Sequence, residues 1–257
     1  MEIIKRLEEL NFRFYEHFAS DFDQTRSYGW AGWTPLLNLL PPSSDLKVVD
    51  LGCGNGRLAQ FLARQYCTQK NNTVRQYIGL DRSPTLLEYA RSIDLPFDTH
   101  WQKWDWGELF TPQNYPIDIT APSLKEAGWV TLFGVLHHVY GYQRRLKLIK
   151  WAASHLSIGG ILTLSLWDFG AHPRWDKKKI SHDQFQSEWG IDPTQLESGD
   201  VLLGWSGDFS TPRYCHWVDR EEELRLLRDV QDQCPQIKSG QLVHTEGDFN
   251  RYLCWFA

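Results

Sequence analysis

The stretch VVDLGCGNGRLAQFLA, from Val48 to Ala63, constrains this chain more than any other. Its β-branched start reads as a buried strand, its glycines as a tight turn, and the apolar spacing from Leu58 as a helix. Such a unit brings bare backbone against a ligand. Two overlapping patterns fit it. Gly54, Gly56 and Ala59 satisfy G-x-G-x-x-G/A, and Asp81 follows at roughly the 20-residue spacing of a dinucleotide site. Gly52, Gly54 and Gly56 form a second triplet, with Asp50 just before it.

The carboxylates separate the two readings. A pyrophosphate is anionic, and Asp50 at the end of the strand repels it. S-adenosylmethionine carries an ammonium and a sulfonium, both cationic, and Asp50 attracts them. Asp81, closing the second strand, can accept from ribose hydroxyls in either case. Asp105, in WQKWDWGEL, can accept from the exocyclic amine of adenine. Both aspartates can equally cap the segments that follow them.

The rest of the chain alternates. LKVVDL, QYIGLD, FDTHWQ, WVTLFGVL and ILTLSLW read as strands, FDTHWQ carrying the weakest pattern. Helices are expected around Leu58 to Gln65, over SPTLLEYARS with Pro84 in its first turn, and over RRLKLIKWAASHL, closed by Gly159 and Gly160. Alternation of this kind implies an α/β fold, a doubly wound Rossmann-like sheet with its ligand at the carboxyl ends of the strands. Residues 1–42 form a helical cap with apolar positions at Ile4, Leu7, Leu10, Phe14 and Phe18, then Trp30, Trp33, Leu36 and Leu40. Residues 168–211 break the pattern and read as an inserted, substrate-side segment of one domain spanning 1–257. Asp219 and Glu222 have capping-box spacing, and the chain ends in two strands joined by a turn around Gly247 to Asn250.

Composition narrows the function. A formal net charge of -5 argues against a surface coated with nucleic acid. Five cysteines without C-x-x-C spacing fit a reducing compartment, with neither a disulfide scaffold nor a metal site expected. The charged start, MEIIKRLEEL, is unlike a signal peptide, and no apolar run suits a membrane span, so a cytoplasmic protein is expected. The 13 tryptophans are enough to line a ligand site as well as a core.

D-x-G-x-G-x-G followed by GLDRS resembles the class I S-adenosylmethionine-dependent methyltransferases. The resemblance implies a mostly parallel seven-stranded sheet with an antiparallel last strand. It implies Gly52, Gly54 and Gly56 under the methionine part of the cofactor, Asp81 at its ribose and Asp105 near adenine. Phe133, in LFGVLHHV, flanks the same site, and Cys53 and Arg82 complete the candidate cofactor set.

Three segments are similar to one subgroup, the tRNA wobble-uridine carboxymethyl methyltransferases. Tyr15 to Arg26 match its Y-x-x-x-A-x-x-F-x-x-T-R segment. HHVYGYQRR matches its histidine pair, and the stretch from Trp167 through GDVLLGW to PRYCHWVDREEEL matches its tryptophan, D-V-x-x-P-W and R-Y-Y-H motifs. Asn250 matches an asparagine before the last strand. Gly204 stands where the subgroup has proline and Cys215 where it has tyrosine, and the overall charge is acidic. The resemblance implies a carboxymethyl acceptor on tRNA and, in eukaryotic members, a small activator protein. A small-molecule metabolite, a non-catalytic activator module and an NAD-dependent oxidoreductase are the rival readings.

A carboxylate acceptor is already a nucleophile, so alignment and exclusion of water dominate. Arg26 is the candidate for fixing a carboxylate, and His137 for positioning or deprotonating a nucleophile. Trp167 and Trp205 are candidates for stacking on a base. Arg213, Tyr214, His216 and Asn250 are further candidates for the substrate side, although strand alternation sends Tyr214 and His216 to one face and Arg213 to the other, so these three share a pocket only if the strand bends.

Overall fold

The computed structural model describes residues 2–25, 29–40, 43–68, 72–110, 123–245 and 249–257. Helices α1 (Glu2–His17), α2 (Ala19–Thr25) and α3 (Trp33–Leu37) precede β1 (Leu46–Leu51), α4 (Arg57–Gln65), β2 (Val74–Asp81), α5 (Pro84–Arg91) and β3 (Asp98–Lys103). Then come β4 (Ala127–Leu132), α6 (Tyr142–Ala153), β5 (Leu156–Trp167), α7 (His182–Trp189), β6 (Asp200–Trp205) and β7 (Asp208–His216). The chain closes with α8 (Arg220–Gln233), β8 (Ser239–His244) and β9 (Asn250–Phe256).

Seven strands share one sheet in the order β3-β2-β1-β4-β5-β9-β8. β1 to β5 pair in parallel, which requires the crossovers that carry α4, α5 and α6. β9 runs antiparallel between β5 and β8. The α/β architecture with an antiparallel last strand is as the sequence implies. β1 is buried along its whole length because both faces are covered, and Val48, Val49 and Leu51 are fully inaccessible. β3 is a half-exposed edge, which explains the weak pattern of FDTHWQ. The order of strands reverses at β1, so a crevice opens between the ends of β1 and β4.

Three expectations need correction. Gly159 and Gly160 do not close α6, which ends at Ala153; they lie inside β5. A Cβ on Gly160 would stand 2.7 Å from the Ala127 carbonyl oxygen, so the close approach of β4 excludes a side chain there. The segment from 168 is not irregular to residue 211. It holds α7 and the antiparallel β6–β7 pair, and β7 runs on to His216. Finally, the capping box forms only in part. The Asp219 side chain accepts from the Glu222 amide at 2.8 Å, while the Glu222 carboxylate turns to Arg145 and His216 instead of back to the cap.

α1 lies on β7, where Leu7, Ile180, Phe185, Leu202 and Tyr214 make a small core separate from the sheet's own. Asn11 Oδ1 accepts from the Tyr214 amide at 2.7 Å, fixing the helix on the strand. Among the described residues, no helix is long and apolar enough to cross a membrane.

Candidate active site

A cleft of about 420 Å³ opens over the ends of β1, β2, β4 and β5, roofed by α1 and by residues around Trp30 and Trp175. Its floor on one side is the glycine turn. Gly52, Gly54 and Gly56 have φ of 79°, 54° and 77°, a region that suits glycine. A Cβ on Gly52 would also lie 2.3 Å from Val135 Cγ2. Gly56 caps α4 and lies just outside the lining.

Asp50 and Asp81 line the cleft with this turn. Thr131 Oγ1 donates to Asp50 Oδ1 at 2.6 Å and the Tyr77 hydroxyl donates to Oδ2. Burial outweighs these bonds and pushes the Asp50 carboxyl up to about 6. Asp81 accepts the Gly54 amide at 2.8 Å on one oxygen and the Ser83 amide at 2.8 Å on the other. Each oxygen has a second lone pair, so Asp81 orders the turn and retains capacity for a ligand hydroxyl. Its own pKa is raised by burial. The Cys53 thiol is buried and held well above its usual pKa by that burial, so it is a wall rather than a nucleophile. Phe133 stacks on Trp33 with ring centroids 5.4 Å apart, and the Arg57 guanidinium lies 4.7 Å over Trp30.

Asp105 is not in the lining. Its Oδ2 pairs with Arg82 Nε at 2.8 Å and its Oδ1 accepts the Gly107 amide at 2.8 Å, so it caps the turn that follows. Trp106 lines the cleft instead.

The other end of the cleft is aromatic and cationic. Arg213 is 5% exposed, and its guanidinium lies 4.8, 5.0 and 5.4 Å over the rings of Phe14, Trp167 and Trp205. No carboxylate among the described residues pairs with it, and its Nε is buried without a hydrogen-bond partner. His137 packs edge-on to Trp167 at 5.4 Å, with Nδ1 unpartnered. Burial, then His138 and Arg213, hold its pKa well below the ordinary value. His138 bonds through Nδ1 to the Tyr214 carbonyl and through Nε2 to the Tyr15 hydroxyl, both at 2.8 Å. A carbonyl only accepts, so Nδ1 carries the proton and the Tyr15 hydroxyl donates to Nε2. Burial and Arg213 bring His138 down to about 3.

Of the residues singled out by sequence, Asp50, Gly52, Cys53, Gly54, Asp81, Arg82, Phe133, His137, Trp167, Arg213 and Asn250 converge on the cleft. Trp205 stands behind Arg213, against Phe14 and Phe18. Tyr214 and His216 are corrections: they point away from the cleft into a buried polar cluster, because a straight β7 gives them the face opposite Arg213. Arg26 lies outside the described residues. Arg57, Trp175 and Phe249 line the cleft without a sequence signal, and Tyr15 and Trp30, read only as a motif residue and an apolar cap position, line it too. Asn11 and Tyr15 sit four apart on α1 amid Leu7, Phe14 and Phe18. A polar pair inside an apolar stripe was the available signal.

The methyltransferase domain family matches residues 22–230, and the chain belongs to it. It is therefore an enzyme of the methyltransferase class, whose methyl donor is S-adenosylmethionine. Similar solved structures include a methyltransferase from Methanosarcina mazei described as dependent on that donor, 15% identical, with a TM-score of 0.56 over 86% of this chain and 96% of that one. One from Mesorhizobium loti is 16% identical, with a TM-score of 0.54 over 89% and 99%. An amino pentose methyltransferase from Micromonospora echinaspora with the donor bound is 14% identical, with a TM-score of 0.50 over 88% and 89%. No curated protein sequence matches the chain. The turn suits the donor: three glycines with positive φ give it bare backbone, Asp81 has lone pairs to spare for hydroxyls, and Asp50 offers a carboxylate to a cation.

Proposed function

We propose that the acceptor is a carboxylate, and that its best-supported form is the carboxymethyl group of a modified wobble uridine in tRNA. The observation that carries this reading is Arg213. A guanidinium this buried without an anion is costly, and an acceptor carboxylate fits its planar fork. Bound at the glycine turn, S-adenosylmethionine supplies an electrophilic methyl carbon on a cationic sulfur. Asp50, Gly52, Cys53, Gly54, Asp81 and Arg82 form its cradle, Gly56 shapes the turn beneath it, and Phe133 and the Trp30–Trp33 pair exclude water.

The histidines support a carboxylate independently. His137 and His138 are both held neutral and are feeble bases, suited to orienting an acceptor rather than deprotonating one. A carboxylate has no proton to lose. Trp167 and Trp175, in edge contact at 4.6 Å, offer flat surfaces to a uracil ring, and Arg174 and Lys178 beside Trp175 suit a phosphate. Asn250 pairs with Trp167 across β5 and β9 and brings an amide to the same end. Arg26 is a second candidate for holding a carboxylate.

The net charge of -5 favours a second reading, in which the same chemistry serves a small carboxylate metabolite. Methyl-labelled donor incubated with tRNA and, separately, with small metabolites tests both. The tRNA reading expects label on RNA that mild alkali releases as methanol, because the product is an ester. Alkali-labile label confined to small molecules selects the metabolite, and alkali-stable label overturns the carboxylate.

A further inference from the structure

Behind β7 lies a cluster that the proposed chemistry does not use. His216 is buried, with Nδ1 2.6 Å from Asp200 Oδ1 and Nε2 2.8 Å from Glu222 Oε2. A carboxylate oxygen only accepts, so each ring nitrogen must carry a proton and the ring is an imidazolium. Asp200 comes from β6 and also accepts from the Tyr214 hydroxyl at 2.8 Å. Glu222 comes from α8 and accepts from Arg145 Nε of α6 at 2.7 Å. Glu197, in the turn before β6, accepts from Arg145 Nη2 at 2.8 Å and lies 3.9 Å from His216. The charged and titratable groups facing the ring are thus Asp200, Glu222, Glu197, Arg145, Tyr214 and, from the cleft side, His137. Burial works against the ring's charge, and the bonds to Asp200 and Glu222 outweigh it, so its pKa lies above the ordinary 6.5. Glu222 stays ionised: burial opposes that, but His216 and Arg145 prevail.

Arg213 sits three residues earlier on the same strand and faces the opposite way, into the cleft. Between them Tyr214 is pinned at both backbone groups, its amide by Asn11 and its carbonyl by His138. The strand is therefore held at Tyr214 from the cleft side and at His216 from the cluster side, two residues apart. We infer that His216 is a positioning residue, tying β7 to β6 and α8, and through Glu222 to Arg145 of α6, so that Arg213 stays at the depth where an acceptor anion meets it. The inference rests on the reading of Arg213 as that anion's partner.

The sign of the pH effect follows. A raised histidine pKa gives a clamp that is complete below about 6.5 and is lost as pH rises through the folded value. NMR on protein labelled with ¹⁵N in histidine and arginine tests it. Below pH 6.5 the His216 nitrogens are expected to be imidazolium-like, and above it their titration is expected to move the Arg213 Nε signal with the same midpoint. The acceptor KM is expected to rise about tenfold over that range while kcat and donor affinity stay level. In His216→Gln the Arg213 signal is expected to hold still with pH, and KM to be raised throughout. The wild-type titration needs no variant to fold. A ring that is already neutral below pH 6.5, or an Arg213 signal indifferent to His216, overturns the inference. An Arg213 signal that follows His216 while KM does not move supports the positioning role and refutes the anion reading of Arg213.

Discussion

Around the glycine turn the cleft is walled by backbone and carboxylates drawn from Asp50 to Ser83, whereas around Arg213 it is walled by side chains from α1, β5 and β7. The first wall is anionic and suits a cationic donor. The second is cationic and suits an anionic acceptor. They differ in construction too: the turn is ordered by Asp81, 27 positions along at the end of the next strand, while Arg213 depends on a strand whose Tyr214 amide is held by a residue 203 positions away. A donor common to a class can be held by a transferable motif, but an acceptor particular to one enzyme has to be met by tertiary assembly.

Substitutions that strike one wall and spare the other test this division. Gly52→Ala is expected to have the largest effect. It forces a side chain into a positive φ and against Val135, and calorimetry should show donor affinity falling more than about 100-fold. Acceptor binding, measured alone, should change little; an equal loss of both would break the comparison. Next comes Arg213→Gln, which removes the cation from the acceptor wall. Loss of a buried charged contact of about 2–3 kcal/mol corresponds to roughly 100-fold in kcat/KM for the acceptor, with donor affinity unchanged.

A pH series separates the walls without mutation. Asp50, pushed up to about 6, must lose its proton to hold a cation, so donor affinity should fall about tenfold per unit once the pH drops below 6. Asp50→Asn should bind the donor weakly and without that slope. The acceptor wall, resting on arginine, should show no matching acid limb. The smallest effect is expected from Tyr15→Phe. It removes the donor to His138 Nε2, a bond worth about 0.5–1.5 kcal/mol, so a threefold to tenfold rise in acceptor KM with unchanged donor affinity is roughly the scale.

The same division governs what the sequence disclosed. The parallel sheet and the carboxylates of the turn were legible because strand period, glycine spacing and Asp50 lie within short windows, whereas the antiparallel last strand followed from the family resemblance. Asp105 was placed near a ligand because its position in the chain follows a strand; only the fold reveals that Arg82 and the Gly107 amide occupy it. Tyr214 and His216 were assigned to the cleft although alternation had already separated them from Arg213. Tyr15 opens a matched segment in the sequence, but its role is not legible there, because its partner, His138, is 123 residues away and no local pattern links the two.

The pairing of α1 with β7 has a consequence during synthesis. At roughly 5–20 residues per second, about 10–40 s separate the emergence of α1 from that of its partner strand. Throughout that interval Leu7 and Phe14, both inaccessible in the finished structure, have no strand to cover them. The helix that roofs the acceptor wall is therefore a sticky, waiting segment in the nascent chain. Its delay sets the window in which a chaperone or a misplaced neighbour can claim it.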